Sequence, residues 1–136
     1  MTKFRKVTET YSVAPQIALE DVQAAADRGF VLVINNRPDG ESADQPTSAA
    51  MAAAASAAGL DYVHIPVRGG PTPEQVAQQR TAVEAAKGPV LAFCRSGTRS
   101  IVTWSLGEAQ SGARSVEELV GLGAAAGYDL SGVLGG

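Results

Sequence analysis

Cys94 is the only cysteine among 136 residues, and a run of groups that handle anions comes directly after it: Arg95, Ser96, Gly97, Thr98, Arg99 and Ser100. The apolar run Pro89-Val90-Leu91-Ala92-Phe93 before it reads as a buried strand, and the pattern over 101–106 reads as a helix. The thiol therefore falls in a tight turn between a strand end and a helix start. Backbone N–H groups converge there, and the helix dipole adds partial positive charge. The thiolate is the reactive form of cysteine, and such a turn favours it. Gly97 admits the positive φ that curls the loop so that its amides face inward. Arg95 and Arg99 offer planar forks for an oxyanion. The hydroxyls of Ser96, Thr98 and Ser100 can donate to the thiolate or to a bound anion, although Ser100 can equally cap the helix. The chemistry in view is nucleophilic attack by sulfur on a group held in an anion cradle. A free cysteine is often only a small buried hydrophobe, but that role needs neither the glycine nor two cations beside it.

The elements that must position this turn alternate along the chain. Residues 17–28 read as a helix stopped by Gly29, and 30–34 as a strand that gives way to Asn35, Asn36, Arg37, Pro38, Asp39 and Gly40. Thr47 or Ser48 caps an alanine-rich helix ending at Gly59. A strand over 62–67 leads to Arg68-Gly69-Gly70-Pro71. Thr72, Pro73 and Gln75 then form a helix start of the capping-box kind, and that helix runs to about Lys87. The helix after Cys94 extends to about residue 110, and Ser115 opens a last one to about 126. Residues 127–136 are rich in glycine and read as a loose end. Strands alternating with helices imply βαβ units. The expected fold is α/β: a single three-layer domain over 1–136, mainly a parallel sheet of about four strands flanked by helices, with 1–8 and 131–136 as candidates for loose ends. Right-handed crossovers bring every strand's C-terminal end to one edge, where ligands bind in such folds. That edge collects Arg37, Asp39, Arg68, Arg95 and Arg99 around Cys94. His64, the only histidine, reads as packed or surface rather than catalytic, Trp104 and Leu106 read as core, and Tyr11, Tyr62 and Tyr128 carry no placeable signal.

Composition narrows the function classes. Net charge is −3 and the pI is near 5.1, which argues against nucleic acid as a partner. Hydrophobic residues make up 45%, as in an ordinary globular protein. One cysteine excludes an internal disulfide framework and suits a reducing compartment. No signal-peptide pattern is visible at the N-terminus, and the alanine-rich stretch 49–60 is too short to span a bilayer. The expectation is a cytoplasmic protein acting without a membrane. One Cys and one His do not make a ligand set, so no metal or other cofactor is expected.

Four segments carry a family resemblance: Tyr11-Ser12-Val13-Ala14-Pro15-Gln16-Ile17, Ile34-Asn35-Asn36-Arg37-Pro38-Asp39-Gly40-Glu41, Tyr62-Val63-His64-Ile65-Pro66-Val67 and Cys94 to Ser100. Together they resemble the bacterial phosphatase-like domain first noted in beta-lactamase-hydrolase-like proteins, over about residues 4–130. The resemblance implies a fold similar to dual-specificity tyrosine phosphatases. It leaves the reaction open, because members carry both phosphatase and sulfurtransferase labels. Tyrosine-phosphatase-like enzymes place a histidine before the cysteine, five residues between it and the arginine, and an aspartate after the preceding strand. Here Phe93 replaces the histidine, only Arg95 to Thr98 separate Cys94 from Arg99, and the loop over 68–71 holds no acid; Asp39 or Glu74 are the substitutes on offer. Alkoxide departure without a general acid loses about 10²–10⁴-fold in rate. The loop also resembles that of bacterial rhodaneses, Cys-Arg-Ser-Gly-any-Arg-Ser, in length as well as residues.

The leading expectation is therefore a rhodanese-like sulfurtransferase. Cys94 would carry sulfane sulfur, and Arg95 and Arg99 would hold the sulfur- or phosphate-containing anion. Arg37 and Arg68 would guard the rim. Without a second cysteine, the persulfide must pass to an outside thiol, cyanide or a partner protein. The alternative is a phosphatase acting through a cysteinyl-phosphate on the same residues. A third reading is a non-catalytic anion-binding or redox-sensing module.

Overall fold

The computed structural model describes residues 3–134. Its centre is a five-stranded sheet of β1 (Arg5–Lys6), β2 (Tyr11–Ala14), β3 (Leu32–Asn35), β4 (Asp61–His64) and β5 (Val90–Phe93), in the order β1-β2-β5-β3-β4. β2, β5, β3 and β4 run parallel, and β1 pairs antiparallel with β2 at one edge. The helices are α1 (Leu19–Asp27), α2 (Ser48–Ala57), α3 (Pro73–Ala85), α4 (Thr98–Ser111), α5 (Val116–Ala126) and the single turn α6 (Ser131–Leu134). No described helix is long and apolar enough to cross a membrane.

Side-chain alternation makes the two cores. In the parallel strands at the centre of the sheet every position is buried on one face or the other, so apolar residues run without a break. Leu32, Ile34, Val90 and Ala92 face one layer with Tyr11, Ile101, Trp104, Leu119 and Leu130. Val33, Leu91 and Phe93 face the other with Ile17, Val22, Met51 and Ala55. The three-layer expectation therefore holds. Thr72 accepts from the Gln75 N–H at 3.1 Å while Gln75 caps the Thr72 N–H, so α3 starts where its sequence directs. Thr47, rather than Ser48, caps α2. α1 begins at Leu19, leaving Ile17 in the core ahead of the helix.

Both chain ends are more ordered than the sequence suggests. β1 falls inside the stretch 1–8 read as a loose end, and Val7 is buried in the same core cluster as Tyr11 and Trp104. β2, which has only four residues and no flanking turn signal of its own, is a full member of the sheet beside β5. The tail also packs: Leu130 is buried, and α6 lies within the stretch 131–136. Residues 1–2 and 135–136 lie outside the described residues.

The register gives the fold its functional edge. Ala14, Phe93, Asn35 and His64 lie in one row across the parallel strands, each at its strand's C-terminal end. The chain leaves that row in step: Cys94 N–H bonds Ala14 O at 3.4 Å, Asn36 N–H bonds Phe93 O at 2.8 Å, and Ile65 N–H bonds Asn35 O at 2.9 Å. Behind the row lies a buried polar network. The Gln79 amide donates to Tyr11 Oη at 2.9 Å and exchanges hydrogen bonds with the Asn36 amide at 2.8 and 3.1 Å. Tyr11 Oη donates in turn to the Ser100 carbonyl at 2.8 Å, and Tyr11 stacks on Trp104 with ring centroids 5.0 Å apart. Burial pushes the Tyr11 phenol well above its ordinary range, so it remains a donor. Replacing Gln79 with leucine strands the buried Asn36 amide. We expect Gln79→Leu to cost about 1–3 kcal/mol of unfolding free energy in urea titrations, and a loss below about 0.5 kcal/mol would show that the network does not support the fold.

Candidate active site

Cys94 leaves β5 fully buried, at the floor of the turn. Gly97 takes the left-handed conformation with φ +92° and forms the N-cap of α4. That curl brings the Gly97 N–H onto Cys94 Sγ at 3.1 Å. The amides of Thr98, Arg99 and Ser100 then head the helix, where no preceding turn supplies them with carbonyls. Two contacts hold the turn from outside. Gln16 N–H bonds the Arg95 carbonyl at 3.2 Å, and Tyr128 Oη donates to the Ser96 carbonyl at 2.9 Å. Tyr128 also fills the space that a side chain at Gly97 would occupy. Arg5 lies over the Tyr128 ring, 5.2 Å from its centroid, so the edge strand braces the same contact.

Arg99 is fixed by an acid that the sequence pattern does not mark. Its Nη1 and Nη2 donate to Glu41 Oε2 and Oε1 at 2.8 and 2.9 Å, and Nη1 also donates to the Val67 carbonyl at 2.9 Å. Arg37 reaches the same carboxylate, Nε to Oε1 at 2.9 Å. Of the five guanidinium donors of Arg99, the fork formed by Nε and the second Nη2 hydrogen remains. The affinity of Arg99 for a proton is raised first by its hydrogen bonds to Glu41 and further by the nearby sulfur of Cys94. Glu41 is held at about 2, mainly by the Arg99 hydrogen bonds and then by those of Arg37. A carboxyl so placed is ionised near neutrality and cannot serve as a proton donor there.

Several expected roles change. Arg37 is not a rim residue: it is buried, and its remaining bonds go to Gln16 at 3.0 Å and Ser42 at 3.3 Å. It organises the 36–45 loop rather than meeting an anion. The reason lies at the backbone, where Arg37 N–H bonds the Asn35 side chain and its carbonyl meets His64 Nε2 at 2.8 Å. His64 thus serves packing, as its sequence setting suggests. Asp39 accepts from the Ser48 N–H at 2.8 Å at the start of α2, so its carboxylate is committed to a helix end. Ser96 and Thr98 bond each other at 2.9 Å on the exposed side instead of lining the cradle. Ser100 does not cap α4. It is fully buried, and its Oγ has no hydrogen-bond partner among the described residues. Arg95 and Arg68 are both exposed at the mouth. Among the described residues no cluster of His, Cys, Asp or Glu is suited to a metal ion.

Sequence pattern alone assigns no role to Glu41, Gln16, Tyr128, Tyr11 or Gln79. Glu41 carries one usable signal, its position four residues after Arg37 in the segment 34–41. Tyr128 carries none, because its contact depends on how α5 returns to the loop.

Two outcomes test this geometry. Alanine at position 97 faces both a left-handed φ and the Tyr128 hydroxyl. Gly97→Ala should lose about 1–3 kcal/mol, and adding Tyr128→Phe should restore part of that in urea unfolding. No recovery would show that the backbone conformation alone sets the cost. For Glu41 the sign follows from its lowered value. A carboxyl that is more acidic in the fold stabilises it while ionised, and this contribution fades as pH falls from its ordinary 4.5 toward about 2. The urea midpoint of wild type should exceed that of Glu41→Gln above pH 5, with the gap closing between pH 4.5 and 2. A gap that stays constant over that range would contradict the ion pair.

Comparisons with known proteins identify the family and the fold. Residues 3–111 match the family model described as the phosphatase-like domain of beta-lactamase hydrolase-like protein. The Beta-lactamase hydrolase-like protein of Agrobacterium fabrum is 38% identical over 92% of the chain, although the match covers only 29% of that relative. The chain thus spans less than a third of the curated relatives it matches. A phosphatase candidate from Neisseria meningitidis superposes with a TM-score of 0.87 at 31% identity, covering 99% of this chain and 96% of that one. Tk-PTP shares the tyrosine-phosphatase-like fold at a TM-score of 0.69 and 20% identity, over 88% and 81% of the two chains. On the strength of a family match that takes in β1 to α4 and the whole cysteine loop, the chain belongs to the phosphatase-like domain family of beta-lactamase hydrolase-like proteins.

Proposed function

We propose that the domain is a cysteine-dependent phosphatase that works through a cysteinyl-phosphate. The observation that carries this reading is the Arg99 guanidinium, held by Glu41 and Val67 with its Nε uncommitted, in the first turn of the helix whose capping Gly97 N–H bonds Cys94 Sγ. A bidentate fork suits a phosphoryl group, and the family and fold supply the same direction. In the first step Cys94 Sγ, as thiolate, attacks phosphorus. The S–P bond forms, the P–O bond to the leaving group breaks, and the leaving oxygen takes its proton from water. Water then attacks phosphorus, the S–P bond breaks, and orthophosphate leaves as the thiolate is restored. The Gly97 N–H and Arg99 stabilise charge at sulfur in both steps. Glu41 is a positioning residue, and neither it nor Asp39 is placed to protonate the leaving group. Aryl phosphates are therefore favoured over alkyl phosphates, since a phenoxide departs without a general acid far more readily than an alkoxide. A single thiol that must stay reduced suits action in the cytoplasm.

Sulfur transfer is the second reading, and the four-residue spacing between Cys94 and Arg99 is what favours it. There the thiolate attacks the outer sulfur of thiosulfate, the S–S bond breaks and sulfite leaves, giving a persulfide that an external thiol removes. Nothing in that sequence needs an acid. The family and the structural neighbours place it behind the phosphatase reading.

The two separate in one parallel assay of wild type and Cys94→Ser with p-nitrophenyl phosphate and with thiosulfate plus a thiol acceptor. We expect aryl-phosphate hydrolysis that falls at least about a thousandfold in Cys94→Ser. Wild type no faster than Cys94→Ser on the phosphate, with thiosulfate consumed, would promote sulfur transfer. Inactivity on both, with anion binding kept in the variant, would point to a non-catalytic module.

A further inference from the structure

The eight arginines of this acidic chain are not used alike. Arg37 and Arg99 share Glu41; Arg80 pairs with Glu84 and Glu108; Arg114 pairs with Glu108 and Glu118. Arg5 and Arg28 lie over the rings of Tyr128 and Phe4. The guanidinium groups of Arg68 and Arg95 alone have no ion pair, hydrogen bond or ring partner among the described residues. Both stand at the mouth of the site. Arg95 directly follows the nucleophile, and Arg68 directly follows Val67, whose carbonyl fixes Arg99. The one carboxylate built into the cradle, Glu41, is already matched by two cations. The mouth therefore carries two uncommitted, exposed guanidinium forks, with Glu41 beneath already neutralised by Arg37 and Arg99.

One phosphoryl group does not use that charge. On the phosphatase reading it is held by Arg99 and the loop amides, while Arg95 is exposed on the outer side of the turn. From this we infer that the substrate carries a second oxyanion, a phosphate or carboxylate group close to the phosphate that is attacked, and that Arg68 and Arg95 grip it. This deepens the phosphatase reading and rests on it. Charge-assisted bidentate contacts of this kind are worth about 10–100-fold in affinity, and they sort substrates by their neighbouring charge without taking part in the chemistry.

Binding measured by titration calorimetry tests the inference without requiring turnover. The probes are orthophosphate and pyrophosphate, together with methylphosphonate and phosphonoacetate, which differ by a carboxylate. The proteins are wild type, Arg68→Gln, Arg95→Gln and Lys87→Gln, the last removing an exposed cation ahead of the N-terminal end of β5. We expect pyrophosphate to bind wild type and Lys87→Gln at least tenfold tighter than orthophosphate. That ratio should fall at least fivefold in each arginine variant, with orthophosphate affinity as the internal reference for an intact cradle. A preference for phosphonoacetate over methylphosphonate with the same arginine dependence would support a carboxylate as the second group, and a preference confined to pyrophosphate would support a phosphate. Equal affinity for pyrophosphate and orthophosphate in wild type, or a ratio unchanged in both arginine variants, would overturn the inference while leaving the phosphatase reading in place. Failure of wild type to bind orthophosphate at all would instead undermine that reading itself.

Discussion

The hydrogen bond from Gly97 N–H to Cys94 Sγ is the contact around which the site is built. It exists only because residue 97 can hold φ at +92°, which glycine does without steric cost. Once the turn curls that way, the helix begins at Thr98, Arg99 stands in its first turn, and the sulfur lies under the Gly97 amide. Much of the surrounding structure keeps the curl in place. Tyr128 holds the Ser96 carbonyl, Gln16 holds that of Arg95, and Tyr11 holds that of Ser100. Three carbonyls are thus satisfied by neighbours from two distant parts of the chain, the β2 segment and Tyr128. The amides of Arg99 and Ser100, at the start of the helix, are left without partners from the preceding turn.

The second constraint is electrostatic. Arginines gathered at a sheet edge repel one another unless a counter-charge is supplied, and Glu41 supplies it for Arg37 and Arg99 together. The same contacts that make Glu41 a good anchor make it a poor acid, because a carboxyl held at about 2 has no proton to give near neutrality. Anchoring and proton donation are therefore exclusive for this residue. On the proposed reading this bears on function: with Glu41 unable to donate a proton, chemistry at Cys94 suits a leaving group that departs unaided. Aryl phosphates meet that condition, and so does thiosulfate.

The fold is legible in the sequence where local signals are strong. The alternating pattern, the glycine stops and the Thr72-Pro73-Gln75 start lead to the parallel sheet and to the edge where Cys94, Arg68, Arg95 and Arg99 collect. The N-terminal strands are not legible. β1 and β2 are short, and their stability comes from pairing within a sheet whose nearest parallel strand, β5, lies nearly eighty residues away, rather than from their own propensity. The site is legible as a cast of residues and less so as a division of labour. Arg37 and Asp39 sit beside the cysteine loop in topology, yet their side chains are taken by Glu41 and by the N-terminus of α2. Such pairings depend on loop conformation, which composition and spacing do not specify. The supporting contacts of Tyr11, Gln79, Asn36 and Tyr128 escape the sequence for the same reason, since each joins segments far apart in the chain.

On the phosphatase reading, Cys94 itself carries the phosphoryl group between the two steps. The decisive measurement is the intact mass of wild-type protein mixed with excess p-nitrophenyl phosphate and quenched within the first turnover. We expect a gain of one phosphoryl group, located by peptide mapping on Cys94 and missing in Cys94→Ser. A protein that never carries phosphate under these conditions, and that gains one sulfur atom from thiosulfate instead, would contradict it.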